Sequence, residues 1–131
     1  MNTAEIQAVM TATQAGDLTF PETVGRLLAV GIESYFVDFA SGRETLYATD
    51  GSTHTEELRL PHHAIAAELS AADIRAAIRG AQTDTIRYPE FVKRATASGV
   101  IAYWAFLTGK RVIYFGRQGD IHIEEFPRAE P

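Results

Sequence analysis

The feature that most constrains this chain is an internal repeat that aligns without a gap. Residues 88–126 match residues 20–58 at a constant offset of 68 positions. The identical pairs include Pro21 and Pro89, Glu22 and Glu90, Val24 and Val92, Arg26 and Arg94, Gly31 and Gly99, Tyr35 and Tyr103, Gly51 and Gly119, and His54 and His122. A repeat of this kind predicts two copies of one structural unit.

The same offset extends the repeat toward the start of the chain, where Ile6 and Gln14 align with Ile74 and Gln82. The full length of 131 residues is typical of one ordinary domain. We therefore expect a single domain of three parts: repeat one (residues 2–58), a linker (residues 59–69) and repeat two (residues 70–126).

Each repeat carries the signals of two helices. In repeat one, apolar residues at helical spacing predict a helix over residues 4–14 that Thr3 caps, and Pro21 suits the first turn of a second helix that Gly31 ends. In repeat two, Ser70 followed by Asp73 resembles a capping box. In the linker, Pro61 suggests the start of a short helix.

Three strands are predicted to follow the helices in each repeat. β-Branched and aromatic runs separated by glycine-containing turns place them at residues 32–39, 44–49, 53–58, 100–107, 112–115 and 121–126. The predicted fold class is therefore α+β. We expect a tandem duplication of an ααβββ unit packed about a pseudo-twofold axis, with antiparallel three-stranded meanders and helices on one face.

The two repeats differ in polarity. Residues 100–107 are apolar at nearly every position, which predicts a central strand with Trp104 in the core. Ile121 and Ile123 correspond to the threonines Thr53 and Thr55 in repeat one. We therefore expect repeat two to supply most of the core and repeat one to face solvent, a ligand or a partner.

Composition excludes several classes of function. A net charge of −5 argues against a nucleic-acid-binding surface, and the chain has no cysteine that could act as a nucleophile or bind zinc. No apolar run is long enough to span a bilayer, and the first residues do not resemble a signal peptide. We expect a soluble cytoplasmic protein that binds neither nucleic acid nor membrane.

The run Val112–Pro127, VIYFGRQGDIHIEEFP, together with Tyr88, Phe91, Gly99 and Tyr103, resembles a family of small uncharacterised bacterial proteins. This YbcV-like family has members labelled "phage envelope protein". The resemblance spans roughly the whole chain and implies an α+β fold. It implies no activity, cofactor or catalytic residue.

The pattern His-x-Glu occurs in the third strand of each repeat, as His54 with Glu56 and as His122 with Glu124. Residues two apart on a strand share a face, and Ile121 and Ile123 lie on the other face. We therefore predict that these histidines and glutamates point away from the apolar side. If the third strands met at the pseudo-twofold axis, the four side chains would converge and could bind a divalent metal. The alternative is ordinary solvent-facing residues, and we expect no metal and no cofactor.

Four further residues are candidates for binding. Arg43 and Arg111 open the second strands, where a guanidinium group could hold a carboxylate or phosphate. Tyr35 and Tyr103 lie on the first strands, where they would line a pocket or belong to the core.

Three functions remain open from the sequence. The absence of catalytic motifs favours a non-enzymatic binding or interaction module that recognises a small ligand or a protein, with a homodimer as one arrangement to test. The first alternative is a metal-assisted or acid–base enzyme that uses the paired His-x-Glu motifs. The second is a phage-associated structural protein.

Overall fold

The computed structural model describes residues 1–127, which form four helices and six strands. The elements are α1 (Thr3–Gln14), α2 (Phe20–Ala29), β1 (Ile32–Asp38), β2 (Arg43–Ala48), β3 (Thr53–Glu57), α3 (Ala71–Gln82), α4 (Tyr88–Ala97), β4 (Val100–Phe106), β5 (Arg111–Gly116) and β6 (Ile121–Glu125). The order ααβββ occurs twice, so the predicted α+β class and the duplicated unit are confirmed. The linker forms no helix, so the helix suggested at Pro61 is wrong.

Side-chain caps explain where the helices begin. Asn2 caps α1 by accepting a hydrogen bond from the Glu5 amide, in place of the predicted Thr3. Thr19 and Glu22 form a capping box at the start of α2, which exchanges two hydrogen bonds between side chain and backbone. Ser70 accepts from the Asp73 amide, as predicted. None of the helices that residues 1–127 form has the length and apolar character needed to cross a bilayer.

The six strands form one antiparallel sheet in the order β3-β2-β1-β4-β5-β6. The two meanders join through β1 and β4, where Phe36 lies opposite its own repeat partner Trp104. The pseudo-twofold axis therefore passes between these two residues. As a consequence the third strands, β3 and β6, lie at opposite edges of the sheet.

All four helices cover one face of the sheet, which we call the inner face. The inner-face side chains of the central strands, such as Val37, Ala105 and Leu107, are almost fully buried beneath them. Repeat one contributes equally large core residues, among them Ile6 and Leu46. Repeat two supplies somewhat more of the buried apolar residues, as predicted, but both repeats build the core.

A further difference between the repeats lies on the opposite side of the sheet, the outer face, which no helix of residues 1–127 covers. Its apolar residues are Phe36, Tyr47, Trp104, Phe106, Ile113, Phe115, Ile121 and Ile123. Trp104 is half-buried among Phe36, Tyr47 and Phe106, so its predicted place in the core is wrong. Strand β4 is central, as predicted, but its second apolar side faces outward.

The linker packs against the end of α4. The Ser70 amide donates to the Ser98 carbonyl at 2.8 Å, and the chain before it passes directly over Gly99. Gly99 has a positive φ of 93°. A Cβ atom at this position would collide with the Glu68 carbonyl and would lie 2.9 Å from the Leu69 Cα atom.

Replacing Gly99 by alanine should therefore destabilise the fold much more than replacing its repeat partner Gly31. Gly31 also has a positive φ, 82°, but a Cβ atom there meets only the Thr49 hydroxyl at 3.9 Å. We expect Gly31→Ala to cost about 1–2 kcal/mol from backbone strain alone. Gly99→Ala should cost more than about 3 kcal/mol because the linker must also move. Urea denaturation measures both, and equal losses would contradict the role given to the linker contact.

Candidate functional site

The two His-x-Glu pairs lie far apart. His54 and Glu56 are on β3, and His122 and Glu124 are on β6, at the two edges of a six-stranded sheet. Five strand spacings separate them, which amounts to about 24 Å. The predicted convergence at the pseudo-twofold axis is therefore wrong. Among residues 1–127, no three histidine, aspartate or glutamate side chains come together as a possible metal-binding group.

The pairs also point to the other side of the sheet from the one expected. His122 and Glu124 face the helices, and their side chains are only 13% and 30% exposed. Ile121 and Ile123 instead face outward and are 54% and 47% exposed. Within each pair the histidine Nε2 lies 3.1 Å from a glutamate oxygen. Each motif is thus a hydrogen-bonded pair at the border of the inner layer.

Tyr35 and Tyr103 lie at the centre of the inner face, on the strands that join the repeats. Their rings meet edge to face with centroids 6.0 Å apart. The Tyr103 hydroxyl bonds to the Tyr88 hydroxyl at 2.6 Å. Burial raises the pKa of all three tyrosines, so the hydroxyls stay protonated and neutral.

Arg43 and Arg111 do not belong to this inner site. Both project from the outer face at opposite corners of the sheet, where Arg43 lies across from Glu57 and Arg111 from Glu125. The Arg111 guanidinium is 3.8 Å from the Glu125 carboxylate, and both side chains are exposed. Surface pairs of this kind contribute little to stability.

An open cleft of about 60 Å³ lies between the helices and strands β4 to β6. Its walls are largely aromatic and aliphatic. The residues that line it include Phe20, Thr23, Tyr35, Ile78, Ala81, Gln82, Ile86, Arg87, Tyr88, Phe91, Tyr103, Val112, Tyr114, Glu124, Glu125 and Phe126. The cleft therefore contains both predicted tyrosines and one of the predicted glutamates, Glu124.

The charged residues of the cleft leave it acidic. Arg87 lines it, but its guanidinium is held by the Asp84 carboxylate and by the Gly16 carbonyl at 2.9 Å. Glu124, whose side chain is 30% exposed, also lines the cleft, whereas the Glu125 carboxylate lies on the outer face near Arg111. The cleft surface therefore combines tyrosine rings with one carboxylate, a combination that attracts cations.

In repeat one, hydrogen-bonded side chains occupy the place that corresponds to the cleft. Glu44, the repeat partner of Val112, is only 1% exposed, and its Oε1 accepts a hydrogen bond from the Gln14 Nε2 at 2.8 Å. The Gln14 Oε1 in turn accepts from the Arg59 amide at 2.8 Å. Because Val112 offers no such acceptor, Gln82, the partner of Gln14, lines the cleft instead.

Glu44 is a buried titratable residue that the sequence-based prediction omits. It lies directly across from Glu56 on the neighbouring strand, and its Oε2 has no hydrogen-bond partner among the described residues. Burial, followed by the Glu56 charge, raises the pKa of Glu44 well above its ordinary value of 4.5. A proton on Oε2 would let Glu44 donate to Glu56, so the pair shares one negative charge.

Residues 7–125 match the family described as "Protein of unknown function (DUF1398)", and the chain therefore belongs to this family. No curated protein matches the chain significantly. The family description assigns no activity, and the phage-envelope label of the resemblance stays a prediction.

Replacing Glu44 by glutamine should change how stability depends on pH. The folded chain keeps the Glu44 proton to higher pH than the unfolded chain does, so its stability should fall as pH rises above about 4.5. Glutamine mimics the protonated acid and removes this loss. Between about pH 5 and pH 8, we expect the free energy of unfolding of Glu44→Gln to rise relative to that of the unmodified chain. The rise should be at most about 1.4 kcal/mol per pH unit.

The measurement is the free energy of unfolding in urea across this pH range. Glu57→Gln, on the neighbouring strand β3 and exposed, is the control and should show no comparable gain. A difference between Glu44→Gln and the unmodified chain that stays constant with pH would contradict the shared proton.

Proposed function

We propose that this DUF1398-family chain is a non-enzymatic binding protein that takes a small organic cation into the cleft beside β4 to β6. The observation that carries the proposal is the combination of an apolar wall, built from Tyr35, Tyr103 and Tyr114, with Glu124 at the mouth. A pocket with apolar walls and a few placed polar groups is the usual form of a small-molecule site.

The dimensions of the cleft limit the ligand. The cleft volume is about 60 Å³. At about 10–15 Å³ for each water-sized group, it takes about four to six non-hydrogen atoms. A larger molecule would have to extend out through the open side. The ligand class is therefore a short branched amine or the ammonium-bearing end of a longer molecule.

The charged groups around the cleft determine which sign of ligand charge it favours. Arg87 is already bonded to Asp84 and Gly16, so it offers little to an anion. An ammonium group can donate to the Glu124 oxygen that is not bonded to His122, and it can lie against the tyrosine rings, whose π faces attract cations. A carboxylate ligand would meet Glu124 as a like charge.

The proposal also predicts one ligand per chain. The hydrogen-bonded Gln14 and Glu44 occupy the place in repeat one that corresponds to the cleft in repeat two. The enzyme alternative loses its joint site because the two His-x-Glu pairs lie at opposite edges of the sheet.

The test is an NMR titration of the ¹⁵N-labelled chain with three compounds of one carbon skeleton: isobutylamine, isobutanol and isobutyrate. We expect the amine to shift amide signals of residues around the cleft at the lowest concentration and isobutyrate to have no effect. Glu124→Gln should weaken amine binding about tenfold by removing the charge that the ammonium group faces. Glu56→Gln, the repeat partner outside the cleft, should leave it unchanged.

Equal binding of amine and alcohol, or equal affinity of the amine for both variants, would contradict selection by charge. An absence of shifts with all three compounds would contradict binding of ligands of this size in the cleft.

A further inference from the structure

The outer face of the sheet is an apolar surface with no covering layer among residues 1–127. The rings of Tyr47, Trp104 and Phe106 stack face to face across it, with centroids 5.3–5.4 Å apart. Ile121 and Ile123 extend this surface to the edge strand β6 and are about half exposed. Contiguous apolar surfaces of this extent on a protein usually mark a site of interaction.

The distribution of apolar and charged residues on the outer face resembles that of a protein–protein interface. Its charged residues lie near strand ends, and two of them, Arg43 and Arg111, each have a glutamate directly across on the neighbouring strand. Between these strand ends the face carries apolar side chains, threonines and the almost fully buried Ser34. An apolar centre with a charged rim is the usual anatomy of a protein–protein contact.

The central residues form one row across all six strands. The register places them in the order Thr55, Thr45, Phe36, Trp104, Ile113, Ile123. A twofold axis along this row would set each side chain of the row against the same residue of a second copy. Apolar side chains would then meet apolar ones, and threonines would meet threonines, as an isologous contact requires.

The area of the face suits a second copy. Six strands of five to seven residues span about 29 Å by about 18 Å, or about 500 Å² in projection. The accessible area of a surface covered with side chains exceeds its projection, and a stable interface takes about 800 Å² from each partner. Two identical sheets also have the same twist, so they can pack face to face at about 10 Å.

We propose that the outer face is the interface of a homodimer in which two copies pack sheet against sheet, with the twofold axis along the row from Thr55 to Ile123. The contact is independent of the cleft, which lies on the inner side of the sheet. Its apolar centre consists of the row residues Phe36, Trp104, Ile113 and Ile123.

The experiment is sedimentation velocity of the full chain over a range of micromolar concentrations, together with the fluorescence of Trp104, the single tryptophan. We expect the protein to sediment with twice the chain mass of 14.4 kDa. As dilution separates the two copies, the Trp104 emission maximum should shift to longer wavelength. The emission shift locates the contact because Trp104 lies within it.

Two variants make the test specific. Ile123→Lys sets two ammonium groups against each other and should raise the dimer dissociation constant at least about a hundredfold. Ile123 is exposed in the single chain, so the circular dichroism spectrum of Ile123→Lys should remain unchanged. Leu28→Lys is the matched control, because Leu28 is a similarly exposed apolar residue on α2, and it should remain dimeric.

A single-chain mass at every concentration would overturn the proposal. So would a dimer that Ile123→Lys leaves intact, or one whose dissociation does not change the Trp104 emission, since either result would place the contact elsewhere, such as at the sheet edges.

Discussion

The pairing of β1 with β4 is the interaction on which the rest of the structure depends. It joins two three-stranded meanders, each of which would otherwise expose an apolar edge strand, into one continuous sheet. It also brings Tyr35 and Tyr103 together beneath the helices and sends β3 and β6 to opposite edges. Both the inner site and the separation of the His-x-Glu pairs follow from this one ladder of hydrogen bonds.

Much of the fold was predictable because its signals are local. The repeat, the order of the elements and most of their bounds follow from hydrophobic spacing, proline and glycine positions, and turn residues. The strand order was not predictable, because it depends on which edges of the two meanders meet. No local pattern in the sequence encodes that pairing.

The candidate site was also only partly predictable, because local sequence patterns do not show which face of the sheet the helices cover. Alternation along β6 correctly separates His122 and Glu124 from Ile121 and Ile123, but it cannot tell which face the helices cover. The sequence-based prediction places Ile121 and Ile123 on the covered face of the sheet, but they lie on the outer face. Glu44 did carry a signal. It alternates with the buried Leu46 and Ala48, and its repeat partner is the apolar Val112, so a buried carboxyl could have been inferred.

The pseudo-twofold axis between Phe36 and Trp104 has an evolutionary consequence. Two separate ααβββ chains joined along the same strands would form a symmetric dimer. In such an ancestor one gene specifies both halves, so any residue must suit both positions at once. Once the copies share a chain, each position can mutate alone, and assembly no longer depends on concentration. The polar Glu44 and the apolar Val112 illustrate that freedom, because two aligned positions of the repeat now hold residues of different chemistry.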